Sequence, residues 1–314
     1  MNHADRRPCV LFLMGPTASG KTALACALAE HFPLDLVSVD SALVYRGMDV
    51  GSAKPAAATL QRFPHRLIDI RDPAQAYSAA EFRADALREI EQIHAQGRVP
   101  LLVGGTGLYF RALELGLSPL PQADPTLRAD LARQAADKGK AYMHERLAKL
   151  DPATAARLNL NDVQRVQRAL EVIALSGKAL SELQGGSRRR LPYRLLKLGL
   201  LPRQRVALHA RIADRFDDML AAGLVAELER LRQRADWAED LPSMRAVGYR
   251  QGWPYLDGAC SLEDFRLNAI HATRQLAKRQ ITWLRSELDA WMFDADDATV
   301  GERVLRAVAG FLDR

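Results

Sequence analysis

A glycine-rich segment near the N-terminus has the composition and spacing of a phosphate-binding loop. It matches the pattern G-x-x-x-x-G-K-[ST] and consists of Gly15, Pro16, Thr17, Ala18, Ser19, Gly20, Lys21 and Thr22. Backbone N–H groups of such a loop converge on an anion, the lysine adds a positive charge, and the final hydroxyl can bind Mg²⁺. The apolar run 10–14 predicts a strand before the loop, and residues 21–31 predict a helix after it, as the motif requires. We therefore expect this loop to bind the phosphates of a substrate, with Thr22 as a metal ligand.

This motif indicates a site for a diphosphate group. Proteins with such a site form a broader class than the ATP-hydrolysing enzymes. Phosphoryl transfer usually also needs an acidic residue at the end of a second core strand, where it holds Mg²⁺ or water. The best-placed predicted strand, residues 99–103, is followed by the sequence GGTGLY and has no acid there. Asp69, in the strand-like stretch 65–70, is a candidate substitute. A kinase of a nucleotide or small metabolite therefore remains an alternative.

Asp40 ends a second predicted strand, residues 36–40. In open α/β sheets, ligands bind beyond the carboxyl ends of the strands, so we expect this carboxylate to face the phosphate loop. There it can act as a general base on a neutral nucleophile or as an outer-sphere ligand of Mg²⁺. The alternative is a structural role, in which Asp40 caps the turn through Ser41. Thr17 offers a hydroxyl inside the loop, and the residues alone leave its role open.

Two basic segments suggest a polyanionic partner. Residues 274–285 place Arg274, Lys278 and Arg285 near one face of a predicted helix, with Arg279 and Trp283 nearer another. Residues 164–168, with the sequence QRVQR, form a second cluster of amides and guanidinium groups. A basic stripe beside an aromatic residue suits a nucleic-acid backbone, although charge runs are often solvated helix faces. Together with a phosphate loop, the two segments favour a large polyanionic acceptor.

The order of strand and helix signals predicts the fold class. Strands alternate with helices over residues 1–118, which favours an α/β core with a parallel sheet flanked by helices. Residues 119–186 carry only helical patterns, at 124–136, 140–150 and 162–176, and predict an all-helical insertion. Residues 185–190 resemble a linker, the stretch 193–201 predicts a returning strand, and residues 187–314 complete the core with mostly helical segments.

Length and composition are those of an ordinary globular enzyme. The chain has 314 residues and a formal net charge of +6, which is compatible with a polyanionic partner. Its 3 cysteines lack the spacing of a zinc site or a disulfide framework, which indicates a reducing compartment. No segment is apolar enough for a signal peptide or a membrane span. We expect a cytoplasmic protein.

Seven segments, taken together, resemble the tRNA dimethylallyltransferase (tRNA isopentenyltransferase) family of bacterial type. They are GPTASGKT (15–22), VDSALVY (39–45), GSAKP (51–55), HRLID (65–69), GGTGLY (104–109), VGYRQ (247–251) and TRQLAKRQ (273–280). The likeness spans roughly residues 9–290 in collinear order. It implies a P-loop NTPase-like core and transfer of a dimethylallyl group from its diphosphate to N6 of adenosine 37, in tRNAs that read codons beginning with U. The implied partners are dimethylallyl diphosphate, Mg²⁺ and the anticodon stem-loop of tRNA, and we expect a monomer.

The same resemblance assigns roles to individual residues. Asp40 is the implied general base, Thr17 helps to position the reacting centre, and Arg215 binds the diphosphate, with Arg211 one turn earlier as a rival. The implied tRNA-contacting residues are Asp40, Ser41, Ala42, Leu43, Thr106, Arg128, Gln164, Arg165, Val166, Gln167, Arg168, Arg245, Gly248, Tyr249, Arg250, Gln251, Arg274, Lys278, Arg279, Gln280 and Arg285. A further alternative is a non-catalytic RNA-binding protein that uses a nucleotide as a conformational switch.

Overall fold

A computed structural model describes residues 7–184 and 191–313. Its centre is a six-stranded sheet in which all adjacent strands are parallel, in the order β3-β2-β4-β1-β5-β6. The strands are β1 (Cys9–Met14), β2 (Leu34–Val39), β3 (His65–Arg66), β4 (Val99–Gly104), β5 (Arg194–Leu201) and β6 (Trp291–Asp294). The predicted parallel α/β class is therefore confirmed.

Thirteen helices connect and extend these strands within the described residues. Those of the first half are α1 (Lys21–His31), α2 (Ala57–Arg62), α3 (Ala79–Ala95), α4 (Gly107–Leu115), α5 (Pro125–Leu150), α6 (Pro152–Ala155) and α7 (Val163–Ser176). The remainder are α8 (Leu180–Leu183), α9 (Arg205–Ala221), α10 (Leu224–Arg232), α11 (Tyr249–Leu256), α12 (Leu262–Leu284) and α13 (Val300–Leu312). No helix of the described segments is long and apolar enough to cross a bilayer.

Side-chain alternation along β1 divides the core into two layers. Val10, Phe12 and Met14 are buried in one cluster with residues of α3, α4 and α9–α12. Leu11 and Leu13 are buried in the other, with residues of α1 and α13. Burial on both faces explains why the sequence of β1 is continuously apolar. It also fixes the loop after β1 at the carboxyl edge of a rigid sheet.

The described chain divides into two compact units. Residues 7–114 and 191–313 form the sheet and its helices, and residues 115–184 form a second unit that contains helices only. The helical unit has its own apolar core, which includes Leu131, Leu147 and Leu170. Inside α5, Gly139 has φ 81°, a left-handed conformation that produces a kink where the sequence predicts a break between two helices.

Several local predictions need correction. The strand expected at 65–70 is only the two residues of β3, because Leu67 and Asp69 adopt positive φ angles that a strand does not permit. The strand expected at 36–40 ends at Val39, so Asp40 lies just beyond it. Two elements shorter than ten residues, β6 and α11, are absent from the sequence-based prediction. The linker predicted at 185–190 lies outside the described residues.

Candidate functional site

The phosphate loop connects β1 to α1 as predicted. Ala18 and Gly20 have φ angles of 60° and 83°, which turn successive peptide groups within the loop. A Cβ atom at Gly15 would lie 2.8 Å from the Leu200 carbonyl oxygen, so this close approach to β5 requires glycine. The side chain of Lys21 donates to the Pro16 carbonyl at 2.6 Å. The N-terminus of α1 therefore presents backbone N–H groups and an ammonium group at the same point.

Lys21 has an unusual environment for a lysine. Burial lowers the pKa of its ammonium group to about 8, Asp40 raises it, and Arg215 lowers it further. Burial disfavours a charge without a partner, and a nearby anion restores the preference for the charged form. A phosphate group bound here would therefore stabilise the protonated lysine.

Asp40 faces this loop from the carboxyl end of β2. Burial raises the pKa of its carboxyl group, while hydrogen bonds from the N–H groups of Ala42 and Leu43 and the charge of Lys21 oppose the rise. The two N–H groups lie 2.8 and 3.4 Å from Oδ1. Asp40 therefore caps the turn that follows β2, and the same turn holds its carboxylate at the cavity beside the phosphate loop.

The end of β4 has no room for an acidic side chain. A Cβ at Gly104 would lie only 2.0 Å from the carbonyl oxygen of Val39 on the neighbouring strand. Asp69, the candidate substitute, does not end a core strand: it has φ 56° and pairs with Lys54 at 2.5 Å. The suggestion that Asp69 replaces the missing acid is therefore wrong. This arrangement disfavours the kinase alternative.

The two candidate arginines of α9 have different partners. Arg211 donates to the Ala18 carbonyl at 3.0 Å and pairs with Asp296 at 2.9 Å. Arg215 lies 3.4 Å from the Thr17 hydroxyl and lines the cavity beside the loop. Arg211 is thus bound to the loop backbone and to Asp296, whereas the guanidinium of Arg215 borders the cavity, where an anion can reach it. The geometry favours Arg215 over its rival.

The loop opens into a cavity of about 1090 Å³ within the sheet-containing unit. Its walls combine polar and apolar side chains. The polar residues include Thr17, Lys21, Thr22, Asp40, Thr106 and Arg215, and the apolar residues include Ile212, Phe216, Met219, Val247 and Leu276. A cavity of this size and lining suits an organic ligand that carries both a diphosphate and a hydrocarbon group.

Helix α12 carries basic residues at its surface and one glutamine, Gln280, whose amide contacts the phosphate loop. Lys278, Arg279 and Arg285 are exposed, whereas Arg274 is half-buried beside the His209 carbonyl, 3.5 Å from its guanidinium. Gln280 accepts a hydrogen bond from the Thr17 N–H at 2.9 Å and donates one to the Gly105 carbonyl at 3.1 Å. The predicted basic surface therefore exists, but Gln280 does not belong to it.

The remaining predicted tRNA contacts of this unit fall into two groups. Ser41, whose N–H donates to the Thr106 hydroxyl at 3.3 Å, borders the cavity. So do Ala42, Leu43, Arg245 and Gly248, and Arg250 is exposed. Tyr249 is 0 % exposed and donates from its hydroxyl to Glu227 at 2.6 Å. Gln251 accepts from the Gly248 N–H at 2.9 Å and caps α11. The side chain of Tyr249 is therefore a core group and not a contact surface.

In the helical unit, a buried carboxylate organises the predicted cluster. Arg128 and Arg168 both donate to Glu171, at 2.8 and 2.5 Å, and half of the Arg128 side chain remains exposed. Val166 is only 2 % exposed and belongs to the core of this unit, so its side chain cannot contact RNA. Gln164 and Arg165 are exposed, and Gln167 donates to the Arg128 carbonyl at 2.8 Å.

Sequence reasoning missed the carboxylate that shapes one wall of the cavity. Glu227, 1 % exposed, accepts from the N–H groups of Asp49, Val50 and Gly51 at 2.8, 2.8 and 3.0 Å. With the Tyr249 hydroxyl, these bonds fix the segment that continues along the cavity as residues 51–53. One signal was available, since Glu227 lies on the apolar stripe of α10 that includes Leu224, Leu228 and Leu231.

Comparison with known proteins gives one consistent answer. A family model described as IPP transferase matches residues 43–287. The tRNA dimethylallyltransferases of Alkalilimnicola ehrlichii and Stenotrophomonas maltophilia are 59% and 56% identical to this chain. Each alignment covers 99% of this chain, with 100% of the first relative and 99% of the second.

Solved structures agree with the sequence comparisons. The full-length tRNA isopentenylpyrophosphate transferase from Bacillus halodurans has a TM-score of 0.72 and 36% identity, covering 98% of this chain and 97% of that one. A eukaryotic dimethylallyltransferase acting on tRNA has a TM-score of 0.83 and 26% identity, covering 98% and 80%. With a phosphate loop, a facing aspartate and a full-length match to these enzymes, the chain belongs to the tRNA dimethylallyltransferase family.

Proposed function

We propose that this enzyme transfers the dimethylallyl group of dimethylallyl diphosphate to N6 of adenosine 37 in tRNAs that read codons beginning with U. The reaction breaks the allylic C–O bond, forms a C–N bond and releases pyrophosphate, and N6 loses a proton. One observation carries the proposal: the half-buried carboxylate of Asp40 and the half-buried ammonium of Lys21 line one cavity, which also has apolar walls.

The phosphate loop would stabilise the leaving group. Negative charge grows on pyrophosphate as the C–O bond breaks, and preorganised donors aimed at that charge lower the barrier. Lys21 supplies an ammonium group, Arg215 a guanidinium, and the start of α1 supplies backbone N–H groups. Lys21 is half-buried at the cavity, and its attraction to a phosphate is stronger there than that of a lysine fully exposed to water.

Asp40 is the proposed base for the N6 proton. An exocyclic adenine amine is a weak nucleophile, so proton removal as the new bond forms assists the reaction. Burial raises the pKa of Asp40 above its ordinary value, which makes the carboxylate a stronger base while Lys21 helps to keep it ionised. The hydrogen bonds from Ala42 and Leu43 fix its orientation. Thr17, which touches Arg215, is the proposed positioning group for the reacting centre.

The apolar walls suit the hydrocarbon part of the donor. Ile212, Phe216, Met219 and Leu276 line the same cavity as Lys21. An adenosine must leave its stacked position to reach such a site, as in other enzymes that modify nucleobases. The cavity volume of about 1090 Å³ is sufficient for both the base and the donor.

The residues of the loop fit a divalent metal that is shared with the diphosphate. Thr22 is exposed to the cavity, and the buried Ser19 hydroxyl has no hydrogen-bond partner in the described part of the protein. Residues 7–184 and 191–313 contain no cluster of three or more His, Cys, Asp or Glu side chains suited to a metal. Thr22 would help to hold Mg²⁺ beside the bound diphosphate, and the ion would neutralise charge on the leaving group.

The exposed basic residues support a tRNA acceptor. Lys278 and Arg279 on α12, Arg285 directly after it and Arg250 on α11 are exposed on the sheet-containing unit, and Gln164 and Arg165 are exposed on the helical unit. Cationic side chains bind the phosphate backbone by displacing counterions, so tRNA affinity should fall as salt increases. We propose that the enzyme acts as a monomer in the cytoplasm.

Mass spectrometry of a tRNA that reads a UNN codon tests the proposal. Incubation with the enzyme, dimethylallyl diphosphate and Mg²⁺ should add one C5 unit to adenosine and release one pyrophosphate per event. Labelled ATP provides the control for the kinase alternative. Transfer of the γ-phosphate to an acceptor, with tRNA left unmodified, would refute the prenyltransferase and favour the kinase. An Asp40→Ala protein with undiminished output would favour the non-catalytic switch.

A further inference from the structure

The Gln280 amide connects two neighbouring segments of the cavity wall, one after β1 and one after β4. Its Oε1 accepts from the Thr17 N–H at 2.9 Å, and its Nε2 donates to the Gly105 carbonyl at 3.1 Å. Thr17 belongs to the phosphate loop and Gly105 follows β4, so one side chain connects two segments that are 88 residues apart. Both partners are backbone groups, which means that the amide restrains main-chain positions and not a movable side chain.

The packing around Gln280 leaves little freedom. A Cβ at Gly105 would lie 2.3 Å from Nε2 of Gln280, and a Cβ at Gly107 would lie 2.2 Å from the Trp283 ring. Trp283 also stacks on Phe110, with ring centroids 6.0 Å apart. Helix α12 therefore packs closely against the turn between β4 and α4. This packing restrains the position of the Gln280 side chain beside the phosphate loop.

The hydrogen bond between the Thr17 N–H and Gln280 also determines which N–H groups of the phosphate loop can bind an anion. Pro16 has no N–H, and the Thr17 N–H is already used by Gln280. The first part of the loop therefore has no backbone donor to offer to an anion after Gly15. The donors for pyrophosphate come from the later residues, while the Thr17 hydroxyl lies beside Arg215 at 3.4 Å.

We propose that Gln280 is a positioning residue that holds Thr17 at a fixed distance from the end of β4 during prenyl transfer, and that it does not bind tRNA. This inference rests on the proposed function for its kinetic consequence. It separates Gln280 from its exposed neighbours Lys278 and Arg279, which keep their proposed role in tRNA binding. A displacement of reacting groups by about 1 Å can lower turnover about 10²-fold.

The first test compares Q280M with Q275M, because Gln275 is an exposed glutamine on the same helix. Methionine keeps the length of the side chain and removes both hydrogen bonds. For Q280M we expect kcat to fall about 10²-fold, with the KM for dimethylallyl diphosphate and the Kd for tRNA each within about threefold of wild type. Q275M should match wild type. A kcat within twofold of wild type, or a loss of tRNA affinity as large as the loss of activity, would overturn the proposal.

The second variant, Q280E, covers the case in which Q280M does not fold. A glutamate still accepts from the Thr17 N–H but can donate to the Gly105 carbonyl only when protonated. At neutral pH the glutamate is ionised and loses the second hydrogen bond, so the kcat of Q280E should fall at least about tenfold below wild type. A kcat within twofold of wild type would contradict the role of the second hydrogen bond.

Hydrogen exchange at the Thr17 amide tests the role of Gln280 independently of the proposed prenyl transfer. The Thr17 amide should exchange slowly in the wild-type protein and in Q275M, and at least about tenfold faster in Q280M, whether or not tRNA is modified. Failure of the wild-type enzyme to prenylate tRNA would refute the proposed function and leave this result standing. Equal exchange of Thr17 in the wild-type protein and in Q280M would refute the role of Gln280.

Discussion

Replacement of Asp40 by asparagine tests the proposed base with little change of structure. Asparagine has the same shape, and its Oδ1 can still accept from the N–H groups of Ala42 and Leu43. The turn should therefore persist, at a cost of about 1 kcal/mol because the hydrogen bonds lose their charge. What disappears is the proton acceptor, which typically contributes about 10² to 10⁴ in rate. We expect kcat for Asp40→Asn to fall at least about 10²-fold, or about 2.7 kcal/mol in barrier height.

The pH dependence gives a second, independent signature of the same change. In the wild-type enzyme, kcat/KM should fall on the acid side as Asp40 is protonated, at a pKa raised by burial, and on the alkaline side as Lys21 loses its proton at about 8. Asp40 raises the pKa of Lys21. In Asp40→Asn, loss of the carboxylate should therefore abolish the fall of kcat/KM at acid pH and move its fall at alkaline pH to lower pH.

Steady-state prenylation of tRNA over pH 5 to 9, with a filter-binding measurement of tRNA affinity, is the appropriate assay. The tRNA Kd of Asp40→Asn should stay within about twofold of wild type, since no phosphate-binding cation is lost. A variant that keeps more than a third of wild-type kcat would refute the assignment of Asp40 as base. An unchanged fall of kcat/KM at alkaline pH would refute its electrostatic contact with Lys21.

Three further changes test other parts of the site. Arg215→Ala should raise the KM for dimethylallyl diphosphate and lower kcat/KM about 10²-fold in the prenylation assay, with the thermal midpoint nearly unchanged; full activity would disprove its role. Arg274→Ala and Lys278→Ala should each reduce the slope of log Kd for tRNA against log salt, by up to about 1, whereas an unaltered slope would show that neither cation meets a phosphate. Glu227→Gln should lower the free energy of unfolding in urea by about 3 kcal/mol, because an NH2 group replaces one carboxylate oxygen and cannot accept from backbone N–H groups. The control Glu229→Gln, at an exposed position, should change the free energy of unfolding by less than about 0.5 kcal/mol.

Short-range chemistry explains why so much of the phosphate loop is predictable from the sequence. The types and spacing of Gly15, Gly20, Lys21 and Thr22 are dictated by backbone geometry and by the anion, so they are visible in a single segment. The acid at Asp40 was predictable for a related reason, since it follows an apolar strand and must lie at the same edge of the sheet. Both functions of Asp40, as cap and as cavity residue, follow from that one position.

Burial within helices was harder to infer from residue types. Tyr249 and Val166 share short motifs with exposed polar residues, yet both side chains lie in apolar cores. Helical geometry turns successive residues by about 100°, so adjacent positions in a motif have different environments. Val166 is the buried member of a cluster in which Gln164 and Arg165 are exposed.

The sequence by itself determined the family, the parallel sheet and the phosphate loop, because each depends on local patterns of apolar residues, glycines and a few charges. Only the tertiary structure decided which distant groups meet: Glu227 with the N–H groups of residues 49–51, and Gln280 with Thr17 and Gly105. It also separated Arg215, beside Thr17, from Arg211, which is paired with Asp296. Hydrogen bonds between remote segments leave no periodic signal in the chain, since their energy depends on distances that arise only when the sheet and its helices have packed.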